Sequence, residues 1–158
     1  HDIQTVTTYQ DGAFVSAAYD DGAWVGELTE MTAGLGYWVE SKEFGTFETL
    51  LAEVSTTTEL PTASVHAGWN LLGVIDLAQN DQNDAPSTGD EADDYFTFDW
   101  VIAYMFDTVR GFIPIQPEKD SDIDGDGTTD ADDKEIVNGR GFWVWSDEKS
   151  TLLPLGGI

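Results

Sequence analysis

The sequence contains no cysteine and only 6 lysine and arginine residues, against 31 aspartate and glutamate residues. The lack of cysteine excludes a disulfide framework, a thiolate zinc site and a cysteine nucleophile. The formal net charge of −25 excludes nucleic acid and anionic membrane surfaces as partners, because the chain could not neutralise a row of phosphates. No apolar run approaches the ~20 residues that span a bilayer, so we expect no membrane span in this chain.

The acidic residues are dispersed along the chain, as a solvated surface requires. Their mutual repulsion is largely screened at ~1 M salt, where the Debye length is ~3 Å. The composition resembles that of proteins from extremely halophilic archaea or their viruses, and the alternative is an acidic secreted protein of a less salty habitat. His1 in place of methionine suggests a processed or truncated chain.

The chain is 41% hydrophobic and has 19 aromatic residues, enough to bury a core. Short segments rich in aromatic and β-branched residues, bounded by turn residues, predict a mainly β protein. Helices are expected to be few and short, at residues 47–54, 91–98 and 132–137. The predicted strands are residues 14–19, 36–40, 69–75, 100–106, 112–115 and 141–145.

Two parts of the chain share a pattern. Gly36-Tyr37-Trp38-Val39 recurs as Gly141-Phe142-Trp143-Val144, each time after a strand that contains Ala-Tyr and before a pair of leucines. We therefore predict two small antiparallel β-sandwich or barrel-like repeat units with one or two short helices. The units are residues 1–60, and residues 61–158 with an insertion at about residues 116–137.

The second unit has a leading strand, residues 65–74, without a clear counterpart before Phe14. Three explanations stay open: the first unit lacks this strand, residues 3–8 supply a degenerate version, or another chain adds it to an exposed edge.

The order Gly-Trp-Asn-Leu, Ala-Tyr, Gly-aromatic-Trp-Val and a final leucine-bearing strand resembles a β-rich repeat of large secreted and surface-attached archaeal and bacterial proteins. Residues 65–155 carry the resemblance well and residues 14–54 in part. The resemblance implies a non-catalytic extracellular module, often found beside calcium-binding segments and adhesion domains.

Residues 122–133 have the spacing of a calcium loop. Counting Asp122 as position 1 places carboxylates at positions 1, 3, 5, 9 and 12 and Gly127 at position 6, where such a loop turns sharply. A register that starts at Asp120 places Ala131 at position 12 and is rejected. The predicted calcium ligands are Asp122, Asp124, Asp126, the Thr128 carbonyl, Asp130 and Asp133.

Position 12 is aspartate rather than glutamate, so the loop resembles the dockerin type more than the EF-hand. A dockerin has two such loops and this chain has one, so no cohesin partner follows. We expect calcium to order the insertion by offsetting repulsion among crowded carboxylates. The second acidic stretch, residues 79–94, lacks this spacing and is predicted to be a solvated connection ending in a short helix; a second ion there stays open.

Nothing in the sequence points to an enzyme. It has no Gly-x-Ser-x-Gly elbow, phosphate-binding loop or dinucleotide fingerprint. The only histidines are His1 and His66, and His66 is expected to be a surface or partly buried turn residue.

The strand alternation places Phe142 and Val144 on one face, which should be core, and Trp143 and Trp145 on the other. We expect a neighbouring element to cover Trp145. Exposure of several tryptophans in a row would instead favour carbohydrate binding, and the candidates are Trp24, Trp38, Trp100, Trp143 and Trp145.

Together these patterns predict a calcium-stabilised structural module on the outside of a halophilic cell or virion. It would contribute to a polymeric coat, filament, spike or surface layer through self-association or contact with other surface proteins. Cell-surface and viral origins stay open. The alternative is a calcium-stabilised carbohydrate-binding or adhesion module with a glycan as partner.

Overall fold

A computed structural model describes residues 2–43, 61–74, 87–117, 135–137 and 140–154. These parts of the chain form twelve strands and one short helix, α1 (Ala92–Tyr95). The strands are β1 (Ile3–Gln10), β2 (Ala13–Asp20), β3 (Ala23–Gly26), β4 (Trp38–Ser41), β5 (Ala63–Val65), β6 (Gly68–Gly73), β7 (Ser87–Glu91), β8 (Trp100–Asp107), β9 (Gly111–Ile115), β10 (Glu135–Val137), β11 (Gly141–Ser146) and β12 (Ser150–Leu152).

The first sheet has the antiparallel order β3-β2-β1-β4. Its two hairpins turn through Asp-Gly pairs, Asp11-Gly12 and Asp21-Gly22, whose four φ angles are all positive. Positive φ at both central residues is what a type I′ turn requires, and this turn matches the twist of paired strands. Local sequence therefore determines where β1, β2 and β3 fold back on one another.

Strand β1 is an internal strand of the first sheet. Residues Ile3–Gln10 lie between β2 and β4 and pair with both. The position of β1 differs from that of β6, the leading strand of the second sheet, which is an edge strand beside β11. The three explanations for the missing counterpart therefore stay open.

The second sheet has the antiparallel order β6-β11-β8-β9. Its hairpin β8–β9 lies at one end of the sheet, as β2–β3 does in the first. The strand with the Gly-aromatic-Trp-Val pattern differs in position, because β11 lies inside the second sheet whereas β4 is an edge strand of the first. Two smaller antiparallel pairs, β5–β12 and β7–β10, complete the described strands.

The main core lies on one face of the second sheet. Phe142 and Val144 of β11 are fully buried there, which confirms the predicted alternation along this strand. The segment after α1 contributes an aromatic side chain, Phe96, whose ring lies 6.0 Å from that of Phe142. Other buried members of this cluster are Ala63, Val65, Leu72, Tyr95, Phe98, Trp100, Ala103, Met105, Ile113, Ile115 and Leu152.

A short stretch of backbone joins the two sheets. The Gly36 N–H donates to the Leu71 carbonyl oxygen over 2.9 Å, and the Gly73 N–H donates to the Gly34 carbonyl oxygen over 2.9 Å. A Cβ atom at Gly36 would lie 2.8 Å from the Leu72 carbonyl oxygen, so only glycine permits this close approach. The edge of β6 is thereby covered by the segment that leads into β4.

The predicted fold class, mainly β with antiparallel sheets in a sandwich-like arrangement, is confirmed. Each predicted strand corresponds to an observed one, with ends shifted by up to two residues. The helix predicted at residues 91–98 is the shorter α1, and the one predicted at 47–54 lies outside the described residues.

Two predictions in the acidic segments were wrong. Residues 135–137, predicted as helix, form strand β10, and residues 87–91, predicted as a solvated connection, form strand β7. These strands pair with each other, with Glu135 opposite Glu91 and Val137 opposite Ser87. Backbone pairing between segments distant in sequence outweighs the local preference of short polar stretches.

Candidate functional site

Six aromatic side chains line an open groove of about 500 Å³, here called the aromatic groove. Both sheets contribute to it. Cross-strand pairing brings Tyr9 beside Phe14 in the first sheet and Trp143 beside Tyr104 in the second, because paired residues share a face. The lining residues are Tyr9, Phe14, Trp69, Tyr104, Phe112 and Trp143.

Ring contacts across the groove hold the two sheets together. The centroid of the Trp143 ring lies 5.2 Å from that of Tyr9 and 6.0 Å from that of Phe14. A second contact involves Trp38 of β4, whose ring lies 5.0 Å from Phe106. Edge-to-face and tilted ring pairs of this kind each add about 0.5–1.5 kcal/mol beyond the burial of their area.

The rings of the groove do not form a flat platform. The Trp69 ring plane meets that of Trp143 at 86° and that of Tyr104 at 46°. Phe14 is 62% exposed, Phe112 53% and Trp69 38%, whereas the other three lining residues are half-buried. The groove therefore presents apolar walls of different orientation to solvent.

The prediction that Trp145 is covered was wrong, because its side chain is 36% exposed. Its indole N–H donates to Asp147 Oδ1 over 3.0 Å, and its ring lies 5.3 Å from that of Trp69. The structure also separates the five candidate tryptophans: Trp100 is buried in the main core, and Trp24 lies in β3, where it contacts Tyr19.

Sequence reasoning missed five of the six groove residues. Trp143 was a candidate, whereas Tyr9, Phe14, Trp69, Tyr104 and Phe112 were not. Alternation along each strand gives the face on which such a side chain lies. It does not show that the aromatic faces of two different sheets meet, which is the property that creates the groove.

A second cavity, of about 260 Å³ and here called the polar pocket, adjoins the aromatic groove and shares Tyr9 and Trp69 with it. The Asp11 carboxylate lies 2.9 Å from His66 Nε2, so this pair links the β1–β2 turn to the β5–β6 turn. The polar side chains of its lining are Gln10, Asp11, Thr32, Thr62, Ser64, His66 and Asn70.

The Asn70 side chain holds the backbone of His66 in place through hydrogen bonds. The His66 N–H donates to Asn70 Oδ1 over 2.8 Å, and Asn70 Nδ2 donates to the His66 carbonyl oxygen over 2.8 Å. The Asn70 side chain is buried, so losing these bonds would leave polar groups unsatisfied. The prediction of a surface or partly buried turn residue at His66 is confirmed, since its side chain is 37% exposed.

Two groups outside the groove have shifted pKa values. Hydrogen bonds from the backbone N–H groups of Arg110 and Val109, each 2.8 Å, hold the pKa of Asp107 below its usual range. Burial raises the pKa of Tyr37, although hydrogen bonds with Thr32 oppose this effect. Among the residues that the structure describes, no charged side chain lines the groove.

The predicted calcium ligands, Asp122 to Asp133, lie outside the described residues, so the calcium site stays a prediction. Within the described ranges, no group of three or more His, Cys, Asp or Glu side chains could hold a metal ion. Among those same residues, no helix is long and apolar enough to cross a membrane.

Comparison with known protein families, with curated proteins and with solved structures finds no match for this chain. What the site can do must therefore be derived from its own geometry. Among the described residues, that geometry is an aromatic groove without a charged lining side chain, beside a polar pocket that shares Tyr9 and Trp69 with it, on a chain with a net charge of −25.

Proposed function

We propose that this chain is a non-catalytic, salt-adapted structural module of an extracellular, cell or virion surface, and that it contributes to a polymeric coat, filament, spike or surface layer. The observation that carries the proposal is a combination of strong acidity with many exposed apolar side chains. A contiguous patch of exposed apolar side chains, such as the aromatic groove, is typical of a contact surface.

Exposed apolar side chains lie on both sheets, inside and outside the aromatic groove. Those outside it include Val25, which is 60% exposed, and Val101, which is 47% exposed. Net charge opposes contact between copies at low ionic strength, whereas screening and stronger apolar association favour it in concentrated salt. We therefore propose a second copy of this chain as partner, with association that depends on salt.

Size-exclusion chromatography with light scattering, followed by negative-stain imaging, tests this proposal. In multimolar salt with calcium we expect assemblies larger than one chain, and we expect them to dissociate when the salt is diluted. A strictly monomeric species under all folded conditions would contradict the proposal.

Calcium is the cofactor that we propose for residues 122–133, in a structural role. A ligand that binds only the folded state stabilises it by about 2.7 kcal/mol when present at 100 times its dissociation constant. Removing calcium with a chelator should therefore lower the melting temperature by roughly 5–11 °C for a chain of this size.

Differential scanning calorimetry at constant salt checks the calcium prediction. An Asp124→Asn/Asp126→Asn variant should melt near the chelated wild type and respond little to chelator. An unchanged melting temperature, in wild type shown by elemental analysis to be metal-free, would contradict the prediction.

Carbohydrate binding by an adhesion module is the second candidate function. The observation that favours it is that the aromatic groove and the polar pocket share two lining residues, Tyr9 and Trp69. Sugars have apolar C–H faces and polar hydroxyl edges, so a site with adjacent aromatic and polar walls suits them.

A further inference from the structure

We propose that the aromatic groove and the polar pocket form one binding site, whose ligand is a neutral oligosaccharide. This inference rests on the second candidate function and assigns its site. The groove has the uncharged aromatic walls that bind apolar faces, and the pocket has the hydrogen-bonding groups that bind hydroxyls.

The aromatic walls are already ordered by their own contacts. Phe14, Tyr9 and Trp143 pack against one another at centroid distances of 5.0 to 6.0 Å, and Trp69 packs against Tyr104 at 5.9 Å. Aromatic side chains lose little conformational freedom when they bind a ligand. The site therefore needs little rearrangement to receive one.

The polar pocket determines which part of a bound ligand must be polar. Its Asp11–His66 pair lies beside Tyr9 and Trp69, the two residues that both cavities share. A ligand that spans both cavities must be apolar where it meets the rings and polar where it meets these side chains. A purely apolar chain would displace water from the polar side chains of the pocket without replacing the hydrogen bonds of that water, which costs free energy.

Charge selects among the ligands that have this shape. Asp11 lies in the site, and the chain as a whole carries a net charge of −25, so uronic, sulfated or sialylated sugars are repelled at low and moderate ionic strength. A neutral hydroxyl-rich ligand meets no such repulsion, and its binding is expected to change little between moderate and high salt.

Isothermal titration calorimetry and tryptophan fluorescence with a panel of neutral oligosaccharides test the inference. The panel consists of glucose-, mannose-, galactose- and N-acetylglucosamine-based chains, with uronic-acid oligosaccharides and choline as comparisons. We expect a neutral member to bind and to change tryptophan emission, because Trp69 and Trp143 line the groove. At moderate salt, the uronic acids should bind more weakly than the neutral chains of the same length.

Binding measurements on variants test whether the ligand occupies the proposed site. Phe14→Ala removes a 62% exposed ring and should weaken binding by roughly tenfold. Asp11→Gly keeps the positive φ that the turn requires while it removes the carboxylate, and should also weaken binding by several-fold. The matched control is Val25→Ala, a 60% exposed residue outside the groove, which should bind as wild type.

Three results would overturn the inference: no neutral oligosaccharide binds, Phe14→Ala binds one as tightly as wild type, or choline binds in place of the sugars. A choline-binding groove would be a cation–π site instead. Assembly in salt is measured separately. A chain that binds sugar but does not assemble in salt contradicts only the structural proposal. A chain that assembles in salt but binds no sugar contradicts only the proposed oligosaccharide site.

Discussion

Replacing Phe142 with alanine is expected to lower the free energy of unfolding by about 3–5 kcal/mol, the cost of removing a buried phenylalanine from a packed core. Phe142 is fully buried in β11, and its ring contacts that of Phe96 in the main core. The chain is of a size at which this loss lowers the melting temperature by roughly 6–20 °C. Urea unfolding followed by circular dichroism, in concentrated salt, measures it.

Phe14→Ala is the matched control, because it removes the same ring from an exposed position in the aromatic groove. Its effect on stability should stay within about 1.5 kcal/mol, the upper value for ring contacts such as those of Phe14 with Tyr9 and Trp143. Equal losses for the two variants would show that the second sheet does not carry the main core.

Dilution from concentrated salt to about 0.1 M is expected to destabilise the wild-type chain strongly, because the Debye length grows from ~3 Å at 1 M to ~10 Å. The aspartate and glutamate side chains, which give a net charge of −25 on 158 residues, then repel one another, and only 6 lysine and arginine residues offset this repulsion. We expect a fall in melting temperature of at least about 10 °C, equivalent to a loss of roughly 3–5 kcal/mol.

A variant with fewer surface charges separates charge repulsion from other effects of salt. Asp20, Glu27 and Glu40 are exposed and lie in or next to three strands of the first sheet. Changing them to Asn, Gln and Gln should shift the midpoint of the salt dependence to lower salt. A wild-type chain that melts at the same temperature in dilute and concentrated salt would contradict the proposed salt adaptation.

Local sequence was sufficient for the individual strands of this fold. The two Asp-Gly turns give the hairpins of the first sheet, and alternation along β11 gives the buried Phe142 and the outward Trp143. These features depend on neighbours within a few residues, which a sequence pattern records directly.

The candidate site could not be predicted in the same way, because it depends on contacts between distant segments. Tyr9 and Trp143 are separated by most of the chain, yet their rings lie 5.2 Å apart. The same reason explains strand β10, whose pairing with β7 outweighs the helical preference of residues 132–137. Strand order behaves likewise, since β4 and β11 share a sequence pattern but occupy different places in their sheets.

Sedimentation velocity tests most directly the central claim that this chain is a salt-adapted, self-associating surface module. The measurement compares about 1 M and about 3 M salt with calcium present, where charge repulsion is already screened at both values. Circular dichroism confirms that the chain is folded in each sample. We predict reversible assemblies at the higher salt that decrease at the lower. A single folded monomer at both salt concentrations, over a wide range of protein concentration, would contradict the claim.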